Sequence, residues 1–221
     1  RTSTVSVVDP ENMVEITKIK TGIMPHGSRI SIDGTTHYSV AMMSGELFEI
    51  DALDLSVKRI LSLDNNSNYR NAMHHSKVKP TWVTPHPNGK KLYIAGNGSD
   101  EIFVVDLESF SVEDKLSTGK GPYNLAISPD GKTLLATLKS EGAVSIWSLK
   151  NNKLLKKIKN TTSIPHGVVI SPDNKYAFVS VEGVGGEPGK VDVINLETLS
   201  LQGSINVGKQ AGGIAFWKIE Q

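Results

Sequence analysis

Residues 122–158 decide the fold. They read Pro122-Tyr123-Asn124-Leu125-Ala126-Ile127, then the turn Ser128-Pro129-Asp130-Gly131, then Leu134-Leu135-Ala136-Thr137, Ala143-Val144-Ser145-Ile146-Trp147-Ser148 and Leu154-Leu155-Lys156-Lys157-Ile158. Each stretch is short and rich in Val, Ile, Leu or aromatic residues. Asp-Gly supplies a turn, because Gly takes positive φ and Asp bonds its own backbone. Four such stretches in a row predict a β-meander. The same unit recurs. Ser31-Ile32-Asp33-Gly34, Pro87-Asn88-Gly89 and Ser171-Pro172-Asp173-Asn174 repeat the turn. Asn88 to Asp130 is 42 positions and Asp130 to Asp173 is 43, whereas Asp33 to Asn88 is 55, so about 13 residues are inserted there. After each second strand comes a third that ends near an acid or amide (Glu46–Asp51, Glu101–Asp106, Ala143–Ser148, Lys190–Asn195), and then a more polar fourth.

No segment sustains a 3.6-residue apolar period, so the chain is all-β. Four antiparallel strands per ~42 residues, repeated, predict a β-propeller, in which sheets that cannot bury both faces alone stack around a channel. A β-sandwich, the main rival, predicts no near-constant period. The polar fourth strands suit the wet outer edge of each blade.

Composition narrows the function classes. The 221 residues carry 24 Lys+Arg against 23 Asp+Glu, a formal net charge of +1. That balance offers no electrostatic case for a nucleic-acid partner. No apolar run reaches the ~18–20 residues of a membrane-spanning helix. The absence of Cys removes disulfides, thiolate metal sites and cysteine nucleophiles. The chain opens on Arg1 with no signal peptide, which reads as a natural N terminus lost or processed.

The repeat resembles the YVTN family of β-propellers. Leu92-Tyr93-Ile94-Ala95-Gly96-Asn97 and Ile102-Phe103-Val104-Val105-Asp106 carry the likeness most clearly, and it extends over essentially the whole chain. The family includes surface-layer, lactonase-like and haem-binding relatives, so the resemblance implies a fold, an extracytoplasmic (periplasmic or secreted) location and no single activity. Its usual seven blades exceed this length. About five are represented: 1–22 as the third and fourth strands of one blade, 23–79 as a blade with the inserted loop, 80–121, 122–164 and 165–211 as further blades, and 212–221 as a first strand. Part of a seven-bladed ring is favoured over a five-bladed ring with one defective blade.

In such a ring the innermost strands open at one face of the channel, with Pro25-His26-Gly27, Pro80-Thr81-Trp82, Pro122-Tyr123-Asn124, Pro165-His166-Gly167 and Ala211-Gly212-Gly213 at equivalent places. The second-to-third connections add Met42-Met43, Asn97, Lys139 and Glu182. The expected ligand-binding set at this mouth is therefore His26, Arg29, Trp82, Tyr123, Lys139, His166 and Glu182. The inserted loop brings Met73-His74-His75 to the same face. A second expectation is thus a metal site from His26, His74, His75, His166 and Met43, with copper ahead of zinc or iron, because imidazole and thioether suit copper. Solvated loop histidines and structural Pro-His-Gly turns are the plainer explanation, and no His-Glu-x-x-His spacing is present. Trp82, Trp147 and Trp217 read as blade packing. His86 reads as surface, and His37, in the place of Leu92, as a strand residue. No Gly-x-Ser-x-Gly elbow exists; Glu182 with His166 is the one acid–base pair a lactone hydrolase could use. The sequence favours a non-catalytic propeller binding a protein or a small molecule at the channel mouth over metal binding, and metal binding over lactone hydrolysis.

Overall fold

A computed structural model describes residues 2–64 and 75–218. Among them are eighteen β-strands and no helix. β1 (Thr4–Asp9) pairs with β2 (Val14–Lys20) in a two-stranded sheet. Four four-stranded antiparallel sheets follow, each built in chain order. Blade 1 is β3 (Pro25–Ile30), β4 (Thr36–Ala41), β5 (Glu46–Asp51) and β6 (Val57–Ser62); blade 2 is β7 (Pro80–Pro85), β8 (Lys91–Gly96), β9 (Glu101–Asp106) and β10 (Ser111–Ser117). Blade 3 is β11 (Pro122–Ile127), β12 (Thr133–Leu138), β13 (Ala143–Ser148) and β14 (Lys153–Lys159); blade 4 is β15 (Ile164–Ile170), β16 (Tyr176–Glu182), β17 (Lys190–Asn195) and β18 (Ser200–Asn206). The innermost strands lie side by side in order, β3 beside β7, β7 beside β11 and β11 beside β15. This is the radial stacking of a β-propeller.

Period-2 alternation decides which neighbour each residue meets. In β8, Leu92 and Ile94 join a core with Tyr38, Val40 and Leu47 of blade 1, whereas Tyr93 and Ala95 join Leu125, Leu134 and Ala136 of blade 3. Leu135 of blade 3 turns the other way, to Ala177, Val179 and Val181 of blade 4. Ile19 and Val7 of the β1–β2 sheet meet Ala41, Phe48 and Ile50 of blade 1.

The turns after the innermost strands hold by side chains. Ser31, Ser128 and Ser171 each donate Oγ to the Asp two residues on, at 2.5, 2.6 and 2.5 Å, and accept the backbone N–H five residues on. In blade 2 His86 stands where the serine stands elsewhere. It is half-buried rather than the free surface residue expected: Nδ1 accepts from Asn88 N–H at 3.1 Å, and Nε2–H donates to the Gly131 carbonyl of blade 3 at 2.9 Å.

One element departs from the sequence expectation. Residues 207–218 form no strand, although Gly213–Trp217 reads as a first strand. The segment runs along the outward face of blade 4, where Ser180 Oγ donates to the Gly212 carbonyl and Phe178 meets Phe216 with ring centroids 6.1 Å apart. Among the described residues nothing pairs with its far edge, so no ladder forms and Trp217 is exposed instead of packed.

Candidate functional site

The innermost strands are tied together by one repeated contact. A side chain of each blade bonds the carbonyl at the opening of the next blade's innermost strand. His26 Nδ1–H donates to Thr81 O at 2.7 Å, Thr81 Oγ1 to Tyr123 O at 2.8 Å, Thr137 Oγ1 to His166 O at 3.0 Å, and Ser180 Oγ to Gly212 O. A carbonyl buried at a sheet junction needs such a donor. The sequence held a trace of this device, a hydroxyl at equivalent positions 137 and 180, but no spacing said where the hydroxyls point.

These ties bring five of the expected residues together. The Tyr123 hydroxyl of blade 3 donates to His26 Nε2 of blade 1 at 3.1 Å, and the two rings meet edge-on at 5.4 Å and 85°. Residues two blades apart touch only where blades converge, which puts the pair at the channel axis. His166 packs on the other side of Tyr123 with centroids 4.7 Å apart. Lys139 Nζ sits 4.3 Å from the centre of the Tyr123 ring, a cation–π arrangement. Glu182 Oε1 lies 3.8 Å from Lys139 Nζ and 3.7 Å from His166 Nε2, two contacts longer than hydrogen bonds. The five come from three blades and none is more than partly exposed.

The protonation states follow from the partners. A carbonyl only accepts, so His26 carries its proton on Nδ1 and offers a lone pair at Nε2 to the tyrosine. Burial, with the Lys139 charge as a lesser influence, depresses the His26 pKa; the bond to Thr81 opposes this. Burial also lowers His166, again aided by Lys139 and opposed by Glu182. His166 Nδ1 is buried without a hydrogen bond of normal geometry, so the weak influence of the Gly212 carbonyl on this ring does not amount to a bond. The Tyr123 hydroxyl is raised by burial and by Glu182. At neutral pH both imidazoles of the cluster are therefore neutral and the phenol keeps its proton.

Arg29 and Trp82 form a separate contact, the guanidinium lying 4.4 Å from the indole centre. Trp82 Nε1 is buried and has no partner among the described residues. Trp147 packs as expected, buried, with Nε1–H donating to Ser145 Oγ at 3.0 Å. Among the proposed metal ligands, His74 lies outside the described residues, as does its neighbour Met73. His75 is exposed, next to the Ser76 N–H that donates to the Met43 carbonyl at 2.8 Å. Among the described residues no three His, Asp or Glu side chains converge to hold a metal ion, and both ring nitrogens of His26 already have partners.

A family profile described as "Lactonase, 7-bladed beta-propeller" matches residues 28–183. Among curated proteins, the chain is 27% identical over 199 residues to Antigen Lp49 of Leptospira interrogans serogroup Icterohaemorrhagiae serovar copenhageni (strain Fiocruz L1-130), covering 80% of this chain and 40% of the antigen. It is 33% identical over 90 residues to Protein groucho of Drosophila melanogaster, covering 39% of this chain and 12% of that protein. Among solved structures, hydrazine synthase of Kuenenia stuttgartiensis aligns with a TM-score of 0.74 at 22% identity, over 88% of this chain and 53% of that chain. At that identity the likeness is one of fold alone. The chain thus spans less than half of the leptospiral antigen and about half of the hydrazine synthase chain. With the profile running from the first strand of blade 1 to the end of the second strand of blade 4, over more than half of the chain, and the sheets stacked side by side, the chain belongs to the lactonase-type seven-bladed β-propeller family.

Proposed function

We propose that this chain is a non-catalytic binding propeller that takes a small polar ligand, or a polar side chain of a protein partner, at the channel mouth. The observation that carries the reading is the convergence of His26, Tyr123, Lys139, His166 and Glu182 from three blades on one opening. Lys139 and Glu182 stand near each other without closing a hydrogen bond, so each keeps capacity for a ligand's acceptor and donor. Location outside the cytoplasm belongs to the same reading and rests on the likeness to a protein named an antigen; among the described residues no helix is long and apolar enough to cross a membrane. A ligand-observed NMR screen of small polar compounds tests it. Compounds that bind wild type are expected to lose at least tenfold in affinity with Lys139→Met and with Tyr123→Phe. Equal binding to both variants moves the ligand away from the mouth and ends the reading.

Lactone hydrolysis is a second reading, supported by the family's description and by the 3.7 Å approach of His166 to Glu182. An imidazole beside a carboxylate is a general-base arrangement. Turnover of a panel of sugar lactones, lost in Glu182→Gln, supports it; no turnover with or without divalent metal removes it. Copper binding has less support, because the Tyr123 hydroxyl occupies the nitrogen His26 would offer.

A further inference from the structure

β6, β10, β14 and β18 each leave one edge of a four-stranded sheet unpaired among the described residues. Three of them carry little uncompensated charge. On β6, Lys58 pairs with Asp54 at 2.8 Å and Arg59 with Glu49 at 2.5 and 2.7 Å. On β10, Glu113 meets Lys91, and Lys115 stands 4.0 Å from Glu101. β18 holds no charged residue. β14 differs. Lys150, Lys153, Lys156, Lys157 and Lys159 fall within ten positions, and no Asp or Glu occurs between Glu141 and Asp173. Lys157 finds a carboxylate, Glu141, at 3.0 Å. The other four lysines are exposed and make no ion pair among the described residues.

The register places this charge on both faces of the edge. Lys153 and Lys156 stand opposite Ser148 and Ile146, Lys157 and Lys159 opposite Ser145 and Ala143. Ile146 packs into the core shared with blade 4 and Trp147 into that shared with blade 2. By period-2 alternation Lys153 and Lys156 therefore lie on the face toward blade 4, and Lys157 and Lys159 on the face toward blade 2. A bulge after Ile146 leaves Leu155 without a partner on β13, and Leu154 and Leu155 are 38% and 46% exposed. Blade 3 stands between whole blades, β11 lying beside both β7 and β15. The edge of β14 thus belongs to the perimeter and adjoins no blade that is only partly present.

We propose that the outer edge of β14 docks an extended acidic segment of a partner protein, which adds to blade 3 as a fifth, antiparallel strand. Strand addition takes affinity from the unpaired N–H and C=O groups of an edge and specificity from the side chains beside it. Edge lysines oppose pairing with a strand that leaves them unmatched. Opposite charges across a strand pair stabilise it, so the same lysines select an acidic strand. Because they stand on both faces, the partner needs acids opposite Lys153, Lys156, Lys157 and Lys159, with apolar residues opposite Ile158 and the two leucines. The charge is one strand wide and about 20 Å long, which matches an extended chain rather than the flat face of a membrane. A second copy offers no such strand at its outer edges: β14 is itself basic, β18 is uncharged, and β10 sets Lys115 beside Glu113 and Asp114. The site lies at the opposite edge of the sheet from Tyr123 and the channel mouth.

The probe is a synthetic peptide, Glu-Val-Glu-Glu-Val-Val-Glu, written to run antiparallel from Lys159 to Lys153. Fluorescence anisotropy at low ionic strength is expected to show binding to the whole chain. The combined Lys153→Gln, Lys156→Gln and Lys159→Gln variant should bind about tenfold more weakly, the scale of three exposed ion pairs. A control that takes the same charge from Lys115, Lys120 and Lys132 should bind as wild type does. Replacing Lys153, Lys156 and Lys159 by Glu should transfer the preference to the peptide Lys-Val-Lys-Lys-Val-Val-Lys. With the acidic peptide at saturation, hydrogen exchange should slow about tenfold at the β14 amides that point away from β13. Absence of binding at low ionic strength, an equal loss in the control, or unchanged β14 exchange at saturation overturns the proposal. So does equal binding of a scrambled peptide, which reduces the edge to a diffuse attraction for anions. Binding to phosphatidylserine vesicles that the Lys→Gln substitutions abolish, with no binding of the peptide, overturns it in favour of a membrane.

Discussion

Tyr123 is the residue on which the mouth depends. Its ring separates two histidines, its face meets a lysine and its hydroxyl supplies the proton that His26 Nε2 accepts. Tyr123→Phe removes that donor and little else, so stability should fall by about 1 kcal/mol in urea denaturation. The neutral imidazole also loses a bond, so the His26 pKa should rise toward its ordinary 6.5 in an NMR titration. At the opposite end of the blades, Asn174 replaces the turn glycine of blades 1 to 3, holds φ at 61° and accepts Asp130 N–H of blade 3 at 3.1 Å. Asn174→Gly keeps the backbone comfortable and loses the link; Asn174→Ala loses the link and adds left-handed strain. The alanine variant should therefore be the less stable by about 1 kcal/mol, and equal melting curves would contradict this account.

Among the elements, the hairpins joining third and fourth strands show strain offset by burial. Each places a non-glycine residue in the left-handed region, where a β-carbon costs roughly 1 kcal/mol. Leu55, Phe110 and Leu199 pack from there into the cores shared with the preceding sheet. Phe110 is also covered by Arg59, whose guanidinium lies 4.2 Å from the ring while it holds Glu49 at 2.5 and 2.7 Å and the Leu107 carbonyl at 3.0 Å. Asn152 occupies the same position but stays half-exposed, holding Asp114 at 3.0 Å. The same substitution should thus have opposite weight in two hairpins. Phe110→Gly should destabilise by about 3 kcal/mol, the cost of emptying a buried aromatic site. Asn152→Gly should stay within about 0.5 kcal/mol of wild type, since strain relief compensates a lost surface bond.

For the whole molecule, the histidines govern the response to mild acid. His26, His37 and His166 are all depressed, with burial as the largest cause. A group that binds its proton more weakly folded than unfolded leaves stability intact above its unfolded value, near 6.5. As pH falls from there, the unfolded chain takes up protons first, and stability is lost until the folded pKa is passed. Urea midpoints should therefore decline as pH falls below about 6.5. Asp9, Asp51 and Asp106, lowered by their turn hydrogen bonds, begin to contribute only at more acid pH. His37→Leu should flatten the first decline, and an unchanged slope would show that His37 is not part of it.

The architecture could be read from the chain because turn chemistry and side-chain alternation are local. Ser-Pro-Asp-Gly, its near-constant spacing and the Asp, Asn or Ser closing each third strand were enough for four-stranded blades in order, and for the expectation that His26, Tyr123, His166, Lys139 and Glu182 share one face. What alternation cannot say is which atoms meet across blades. That Tyr123 reaches over blade 2 to His26, that Thr137 and Ser180 hold the next blade's carbonyls, that His86 ties two turns, and that Gly213–Trp217 runs alongside blade 4 without a ladder all depend on residues 29 to 97 positions apart. Those contacts arise from how far the twisted sheets converge at the axis, a property of stacking that no single blade's sequence contains.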